Sequence, residues 1–333
     1  MILPFTGFLL CLLVITSLML GRYPLAPGDI AGFFLSLIHS CPEGAQPDSG
    51  IIRTILINIR LPRIIAAILI GAALSVSGAT LQAMFNNPLV SPGLLGVLAG
   101  ASFGAAMGMI YGESWFAVQF GAFAFGLLAV IAALCIASIY KGDRLLMLIL
   151  GGIISGSFFT ALLSVIKYLA DPYDELPAII YWLMGGLSMV ESETVWLVLF
   201  PMLAGIFLLI AFSGYINILS MGDEEARALG LNVRFIRLLL IFAATFISTL
   251  TVVLGGMIGW VGLVIPHITR MLVGPDNRIL LPAAALIGAA YLLVVDDLSR
   301  LMFAVEIPIG ILTTLVGIPF FALVLNKAKK GWN

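Results

Sequence analysis

The chain has 333 residues, of which 62% are hydrophobic and only 10% are charged. A soluble globular domain is roughly 45–50% apolar and about 25% charged, so this chain could not cover its apolar interior with polar surface in water. The formal net charge of −1 argues against a nucleic-acid binder. Three distant cysteines and two histidines exclude a disulfide framework, a cysteine-based metal site and an HExxH zinc site. The sequence has no Gly-Lys dipeptide and hence no Walker A phosphate loop, so the chain cannot hydrolyse ATP by that route.

Apolar runs recur from residue 3 to residue 325 and predict an all-α integral membrane protein with about ten transmembrane helices. A bilayer core of about 30 Å needs around 20 apolar residues per helix. The predicted spans are 3–20, 62–84, 90–111, 115–139, 145–169, 194–214, 236–257, 260–273, 279–295 and 307–325. No Lys or Arg precedes the first run, so we interpret it as a retained helix and not as a signal peptide. The interruptions are too short for a soluble domain, so residues 1–333 are expected to form a single transmembrane domain.

Loop charge predicts that both termini are cytoplasmic, because cytoplasmic loops carry an excess of Lys and Arg. With the N-terminus inside, the inner side carries Lys141, Arg144, Arg227, Arg234, Arg237, Arg270, Arg278, Lys327, Lys329 and Lys330. The outer side then carries Arg22, Arg53, Arg60, Arg63, Lys167 and Arg300. The reverse topology would exchange these two sets, so the N-in orientation is favoured. Four of the outer basic residues fall in or beside the long interruption 22–60.

Two short segments resemble each other. Asn58–Arg63 opens the second span and Asn232–Arg237 opens the seventh, and both read Asn-[Ile/Val]-Arg-x-x-Arg. Spans five apart cross the membrane in opposite directions, so the match predicts a weak inverted repeat, with a transport path at the repeat interface. A chance match is the alternative.

A short polar helix is predicted over 222–230. Asp223 suits the N-cap, Glu224 and Glu225 suit the first turn beside the helix dipole, and Gly230 suits the C-terminal stop. Such a helix could dock in a groove on a soluble partner, or it could be a solvated loop helix.

A second motif surrounds His267, where a glycine-rich stretch precedes Pro266, His267 and Arg270. The histidine could relay protons, or it could be hydrogen-bonded at a kinked helix start. A third motif at 79–93 contains Asn-Pro and Pro-Gly, which predict a tight inner turn.

Together these segments resemble the FecCD family of ABC importer permeases. The resemblance rests on RLPR at 60–63, SGATLQ, NNPL and PGLLG within 77–96, GDEEARALG at 222–230, GLVIPHITRMLVG at 262–274, and Asp-x-x-x-Arg and Glu-x-Pro-x-Gly within 296–310. It implies ten helices, a permease homodimer with a path along the dimer axis, and ATP-driven alternating access. It also implies two ATP-binding subunits inside and a periplasmic substrate-binding protein outside. The chain would be a multi-pass protein of the bacterial inner membrane and no enzyme itself, with no cofactor of its own and with ATP and magnesium on the partner ATPase.

The resemblance also assigns site residues. The segment matching the family's ATPase-coupling helices comprises Gly222, Asp223, Glu224, Glu225, Ala226, Arg227, Ala228, Leu229 and Gly230. The positions matching arginines that pair with glutamates of the binding protein are Arg60, Arg63 and Arg300. The fifth span is expected near the axis, where Gly151, Gly152, Ser155 and Gly156 could line the path or pack against a neighbour. Asn86 stands where family members more often have arginine, which leaves a role for that charge in doubt.

The cargo and the transporter class keep alternatives. The family imports iron–siderophores, haem, cobalamin and oxyanions, and overall similarity favours molybdate or tungstate. An ion-gradient-driven secondary transporter or a channel is the other class, but a proton-coupled carrier would need ionisable groups deep in its spans. Asp296, Asp297 and Glu306 are expected in an outer loop, which argues against that class. A membrane enzyme lacks paired catalytic residues.

Overall fold

A computed structural model describes residues 2–38, 49–112, 114–139 and 144–330. Regular structure within these ranges is entirely helical, which confirms the predicted all-α class. The α-helices are α1 (Ile2–Met19), α2 (Pro27–Ile38), α3 (Ser49–Arg53), α4 (Leu61–Met84), α5 (Val97–Tyr111), α6 (Trp115–Ile139), α7 (Arg144–Leu169), α8 (Glu175–Leu183), α9 (Ser192–Ala211), α10 (Ser213–Leu219), α11 (Asp223–Ala228), α12 (Val233–Gly255), α13 (Val261–Val273), α14 (Asn277–Leu301) and α15 (Ile309–Lys330). Lys141, one of the two histidines (His39) and one of the three cysteines (Cys41) lie outside the described ranges.

Each predicted span overlaps an apolar helix. Seven helical runs are long and apolar enough to cross a membrane, and α5, α13 and α15 are shorter apolar helices. The span predicted over 115–139 has the same bounds as α6. The number of helices that cross the bilayer and the sides on which the termini lie stay predictions.

The interruption expected over 22–60 is partly helical, which corrects the interpretation of this segment as a loop. It contains α2, α3 and a π-helical segment, Thr54–Arg60, which runs without a break into α4. The continuous helix Gly50–Met84 has 35 residues, or about 52 Å at 1.5 Å per residue. It is therefore longer than the roughly 30 Å hydrocarbon core requires. Polar residues such as Arg53 and Asn58 divide its apolar run and concealed the helix.

Helix α4 is the centre of the bundle. Almost all of its side chains are buried, and it packs against α14, α12, α13 and α9. Two glycines permit this packing, because a Cβ on Gly71 would overlap the carbonyl oxygen of Gly288, and one on Gly78 would overlap that of Gly262. Small residues at helical spacing let helix backbones approach closely in this way. Helix α1, by contrast, is mostly exposed and lies at the periphery.

The connections after α4 and α12 resemble each other. Each long helix is followed by an irregular segment and then by a short apolar helix, α5 or α13. The N-cap residues of the two short helices, Gly96 and Trp260, have left-handed backbone angles with φ of +85° and +68°. Both irregular segments line one cavity beside Leu74 and Ser248. The two connections thus share a similar geometry, and the inverted repeat stays a prediction.

The bundle has two polar ends. At one end the α10–α11 connection meets the end of α4, since the Asn86 amide donates to the Ser220 carbonyl at 3.1 Å. At the other end Arg63, at the start of α4, meets Asp296 in the last turns of α14. Between these ends the exposed faces of α6, α7 and α9 carry large apolar side chains suited to lipid.

Candidate functional site

The first candidate site is α11, a short helix with a defined start and stop. Gly222, with a φ of +126°, is the N-cap residue, so Asp223 is the first helical residue and not the cap predicted from the sequence. At the other end Gly230 has a φ of +82°, its N–H donates to the Arg227 carbonyl, and the Leu231 N–H donates to the Ala226 carbonyl. This pair of bonds is a Schellman motif, in which glycine tolerates the left-handed angle. The predicted stop at Gly230 is therefore confirmed.

The outer face of α11 is exposed. Glu224, Glu225, Arg227 and Leu229 are exposed, whereas Ala226 is fully buried against the bundle. Two further apolar side chains near this face, Met221 and Phe235, are 64% and 62% exposed. A polar helix flanked by exposed apolar side chains is suited to contact a soluble protein, because large exposed apolar patches mark interaction sites.

Two polar contacts fix α11 to buried helices. The Arg237 guanidinium of α12 donates to both carboxylate oxygens of Asp223, at 2.6 Å and 3.2 Å. Arg237 is buried, and its fork geometry matches a carboxylate. A third side chain, Arg227, lies farther from Asp223, at 3.8 Å, and is mostly exposed. Asn86, at the end of α4, has a φ of +48° that asparagine tolerates better than most residues, and its amide holds the Ser220 carbonyl.

A capped helix start lies beside this site. Asp276 is the N-cap of α14, and its carboxylate accepts from the Arg278 N–H at 3.0 Å and from the Asn217 amide at 2.6 Å. These two hydrogen bonds favour the ionised carboxylate and lower the pKa of Asp276 below its ordinary value. The contact joins α10 to α14 at the end of the bundle that carries α11.

The second candidate site is a cluster of ionised side chains at the opposite end of the bundle. The Arg63 Nε is 2.9 Å from Asp296 Oδ1, and its Nη2 is 2.9 Å from Glu306 Oε2. The Arg300 Nε is 3.3 Å from Asp296 Oδ2, and its Nη2 pairs with Asp297 Oδ1. Three arginines and three carboxylates lie here, so the cluster is formally neutral when all six are ionised. We call it the arginine cluster; it comprises Arg60, Arg63, Asp296, Asp297, Arg300 and Glu306.

Helix α1 is tied to the arginine cluster. The Ser17 hydroxyl accepts from Arg300 at 2.9 Å and donates to Asp297 at 2.7 Å. Arg60 donates to the backbone carbonyls of Leu18 and Tyr23. The cluster therefore joins α1, the start of α4, the end of α14 and the α14–α15 connection.

The acidic members of the cluster were assigned wrongly from the sequence. Asp296 and Asp297 lie in the last turns of α14, and Asp296 is fully buried. Of the three acids only Glu306 belongs to a connection, and its side chain is 26% exposed. The prediction of an outer loop failed because carboxylates are costly inside spans unless they are paired, and here Arg63 and Arg300 supply the pairing.

The three arginines predicted to dock a binding protein are 3–7% exposed in this single chain. Their charges are satisfied by carboxylates and carbonyls of the chain itself. A carboxylate of a partner protein would reach the arginine cluster most directly at the Arg63–Glu306 ion pair, because Glu306 is its most exposed side chain. The docking role of Arg60, Arg63 and Arg300 stays a prediction.

The four residues proposed for the path lie on one side of α7. Gly151 packs on Ala133 of α6, and Gly152 packs on Leu94. The Ser155 hydroxyl donates to the Ala129 carbonyl at 2.7 Å, whereas Gly156 has more room beside Gly96. Three of the four are thus buried by packing within the chain. Packing against a neighbouring helix was the alternative to lining the path in the sequence analysis. Their role in the path stays a prediction, and the exposed side of α7 carries Ile153, Ser157 and Thr160.

His267 lies within α13 and not at its start. Its ring is half-buried, and its centroid is 6.0 Å from that of Phe320. Within the described residues, no group of three or more His, Cys, Asp or Glu side chains could hold a metal ion.

Arg237, Asp296 and Glu306 were missed as site residues. Arg237 had a signal in the sequence, since it is the second arginine of the repeated Asn-x-Arg-x-x-Arg motif. The acids had a weaker one, the spacing that places Asp296 and Arg300 one helical turn apart.

Known proteins resemble this chain over nearly its full length. The profile of the FecCD transport family matches residues 9–327. The molybdate import system permease protein MolB of Haemophilus influenzae is 36% identical over 323 residues, which cover 97% of this chain and 94% of that protein. The vitamin B12 import system permease protein BtuC of Escherichia coli is 37% identical over 329 residues, which cover 96% and 93%. A solved structure, an inward-facing metal-chelate type ABC transporter, matches with a TM-score of 0.85 at 36% identity, covering 98% of this chain and 99% of that one.

Proposed function

The chain belongs to the FecCD transport family and is a multi-pass permease of the inner membrane, and from this we propose that it is one subunit of a homodimeric, binding-protein-dependent ABC importer. Two copies would enclose the path, two ATP-binding subunits would bind on the cytoplasmic side, and a periplasmic binding protein would deliver the cargo. ATP and magnesium would be bound by the ATPase and not by this chain.

The observation that carries this proposal is α11. It is a capped, exposed polar helix whose inner side is fixed to α12 and α4, and it lies at the end of the bundle that loop charge predicts to be cytoplasmic. A movement of an ATPase bound to α11 would therefore be passed to buried helices. ATP can drive alternating access only through a difference in affinity for the two states. Contact between α11 and the ATPase would supply that difference.

The cargo that we favour is molybdate or tungstate. The support is the similarity to MolB over 97% of this chain. BtuC is similar over nearly the same length, and its name indicates vitamin B12. An iron–siderophore, haem or cobalamin is therefore the alternative cargo. Uptake of radiolabelled molybdate by reconstituted importer, competed with unlabelled tungstate or ferric chelate, distinguishes these classes.

Purification of the tagged chain in mild detergent tests the importer assignment. We expect an ATP-binding subunit to be recovered in a 1:1 ratio to the chain. Replacing Glu224, Glu225 and Arg227 together with alanine should abolish this recovery, because these side chains form the exposed face of α11. The matched control replaces Glu191, Glu193 and Arg53, which are exposed residues of the same types elsewhere on the chain. A chain that is purified alone and transports with an ion gradient would instead be a secondary transporter.

Docking through the arginine cluster is tested by freeing Arg63. In E306Q the Arg63 guanidinium loses its partly exposed carboxylate partner and becomes available to a carboxylate of the binding protein. We expect affinity for the binding protein to rise about tenfold, the equivalent of roughly 1.5 kcal/mol for one charge-assisted hydrogen bond. Surface plasmon resonance on the reconstituted importer measures this change, with E191Q as the control. Equal affinities for E306Q and the parent chain would count against docking at Arg63.

A further inference from the structure

The proposed coupling segment, residues 222–230, is fixed to the core of the bundle by several contacts in addition to its exposed face. Helix α11 and helix α12 are separated by only Leu229–Asn232. Both ends of this connection are fixed, because the Schellman motif closes α11 and the Asn232 side chain accepts from the Phe235 N–H at 3.1 Å to cap α12. Ala226 and Leu231 pack in the same buried cluster. The connection therefore has little freedom to bend.

The Asp223–Arg237 ion pair is a second contact that fixes α11 to α12. It joins the first residue of α11 to the second turn of α12, across 14 residues. Its geometry is bidentate and its arginine is buried. A bidentate pair fixes orientation as well as distance, which a single contact between an ammonium and a carboxylate does not. The exposed Arg227, at 3.8 Å from the same carboxylate, cannot do this.

Helix α12 then connects the two ends of the molecule. Its 23 residues span about 34 Å at 1.5 Å per residue. Its far end lies beside the cavity at the arginine-cluster end, where Gly255 and Gly256 line the wall together with Glu306 and Trp182. The Gly255 carbonyl also accepts the Gly186 N–H at 2.9 Å, which joins α12 to the α8–α9 connection.

We infer that Arg237 and Asn86 are positioning residues for energy coupling: they lock α11 to α12 and α4, so that the coupling helix and α12 move as one rigid body. Arg237 acts through Asp223, and Asn86 acts through the Ser220 carbonyl just before α11. The inference rests on the proposed coupling role of α11.

Substitutions at Arg237 test the lock. R237M removes both hydrogen bonds and keeps an unbranched apolar side chain, whereas R237K keeps the charge but not the fork. R278M is the matched control, because Arg278 is an exposed arginine of α14 at the same end of the bundle and lies outside α11 and α12. D223N combined with R237M completes a double-mutant cycle, in which the double variant should be no worse than R237M if the two residues act only through each other.

Two spin-label measurements on the homodimer with its ATPase test separately whether α11 is fixed to α12 and whether the two copies respond to ATP. The native cysteines are first replaced by serine. Labels at M221C and L238C report the distance between the start of α11 and α12, and a label at L238C alone reports the distance between the α12 helices of the two copies. In the parent chain and in R278M we expect a narrow first distance that ATP does not change, and a second distance that ATP does change.

In R237M the first distance should broaden, and the ATP-induced change in the second should be lost although hydrolysis continues. Transport per ATP hydrolysed should fall roughly tenfold, within the range of coupling measured between distant sites. In R237K and N86G the width of the first distance and the transport per ATP hydrolysed should lie between those of the parent chain and those of R237M. The N86G variant keeps the left-handed angle and loses the amide. A narrow first distance in R237M would overturn the inference. If the parent chain retains no ATPase, the proposed function fails, while the first distance still shows whether the pair locks α11.

Discussion

Replacing Arg63 with methionine is expected to destabilise the folded chain by about 3–5 kcal/mol, the cost of removing one partner of a buried ion pair. The Asp296 carboxylate is fully buried and keeps only Arg300, at 3.3 Å, once Arg63 is gone. The Glu306 carboxylate loses its partner as well. The penalty comes mainly from the charge left behind and not from the loss of the arginine side chain itself.

Denaturant unfolding in detergent, followed by tryptophan fluorescence, measures this effect. R53M is the control, because Arg53 is exposed on the same continuous helix and should change stability little. The double variant R63M/D296M should be more stable than R63M, since it removes the unpaired charge together with its partner. An R63M protein as stable as R53M would show that the cluster is not a buried charge network.

Replacing Gly78 with valine is expected to prevent α4 from packing on α13. Any Cβ at this position overlaps the Gly262 carbonyl oxygen, and this atom belongs to backbone that cannot rotate away. Overpacking of a well-filled interior costs about 1–3 kcal/mol and occasionally more, and a backbone obstacle places G78V at or above the upper end of that range. We expect little or no monodisperse protein, and G78A should unfold at a clearly lower temperature than the parent chain.

Gly7 provides the matched control for Gly78. It also lies inside an apolar helix, but a Cβ there meets nothing within 4 Å. G7A should therefore leave the unfolding temperature unchanged or raise it slightly, since alanine favours a helix interior by about 1 kcal/mol over glycine. The comparison separates the loss of a close helix contact from the general effect of adding a methyl group. Similar unfolding temperatures for G78A and G7A would contradict the packing described for α4.

The sequence predicted the helices well because length and hydrophobicity determine which segments enter a bilayer. The span over 115–139 matches α6 at both ends. The short helices α8 and α10 were missed, and so were the helices in 22–60, where polar residues divide short apolar runs and tertiary contacts stabilise the helix instead. Leu56, for example, is buried in a cluster with Leu25 and Ile52.

The direction of a side chain was less predictable than its helix. The run Gly151–Ser157 identified α7 as glycine-rich, but hydrophobicity all round the helix gave no indication of which side would pack on α6. The pairing of Arg63 with Asp296 could not be predicted either, because the two residues are 233 positions apart in the sequence. The coupling segment was found because its capping and charge pattern are local, whereas its partner Arg237 depends on a contact between two helices.

The separation of Arg63 and Asp296 has a consequence for biosynthesis. At about 5–20 residues per second, roughly 10–50 s pass between the synthesis of Arg63 and that of Asp296. During that interval Arg63, at the start of α4, lacks its carboxylate partners, whereas the carbonyls of Leu18 and Tyr23 that accept from Arg60 are already made. An arginine without its partner can keep its charge at the membrane–water interface, because its long side chain extends to the headgroups. Helix α14 arrives with Asp296 and Asp297 already beside Arg300, so it brings the carboxylate that Arg63 lacks. The nascent subunit thus completes its core only near the end of translation, and a chain truncated before α14 leaves Arg63 without both of its carboxylate partners.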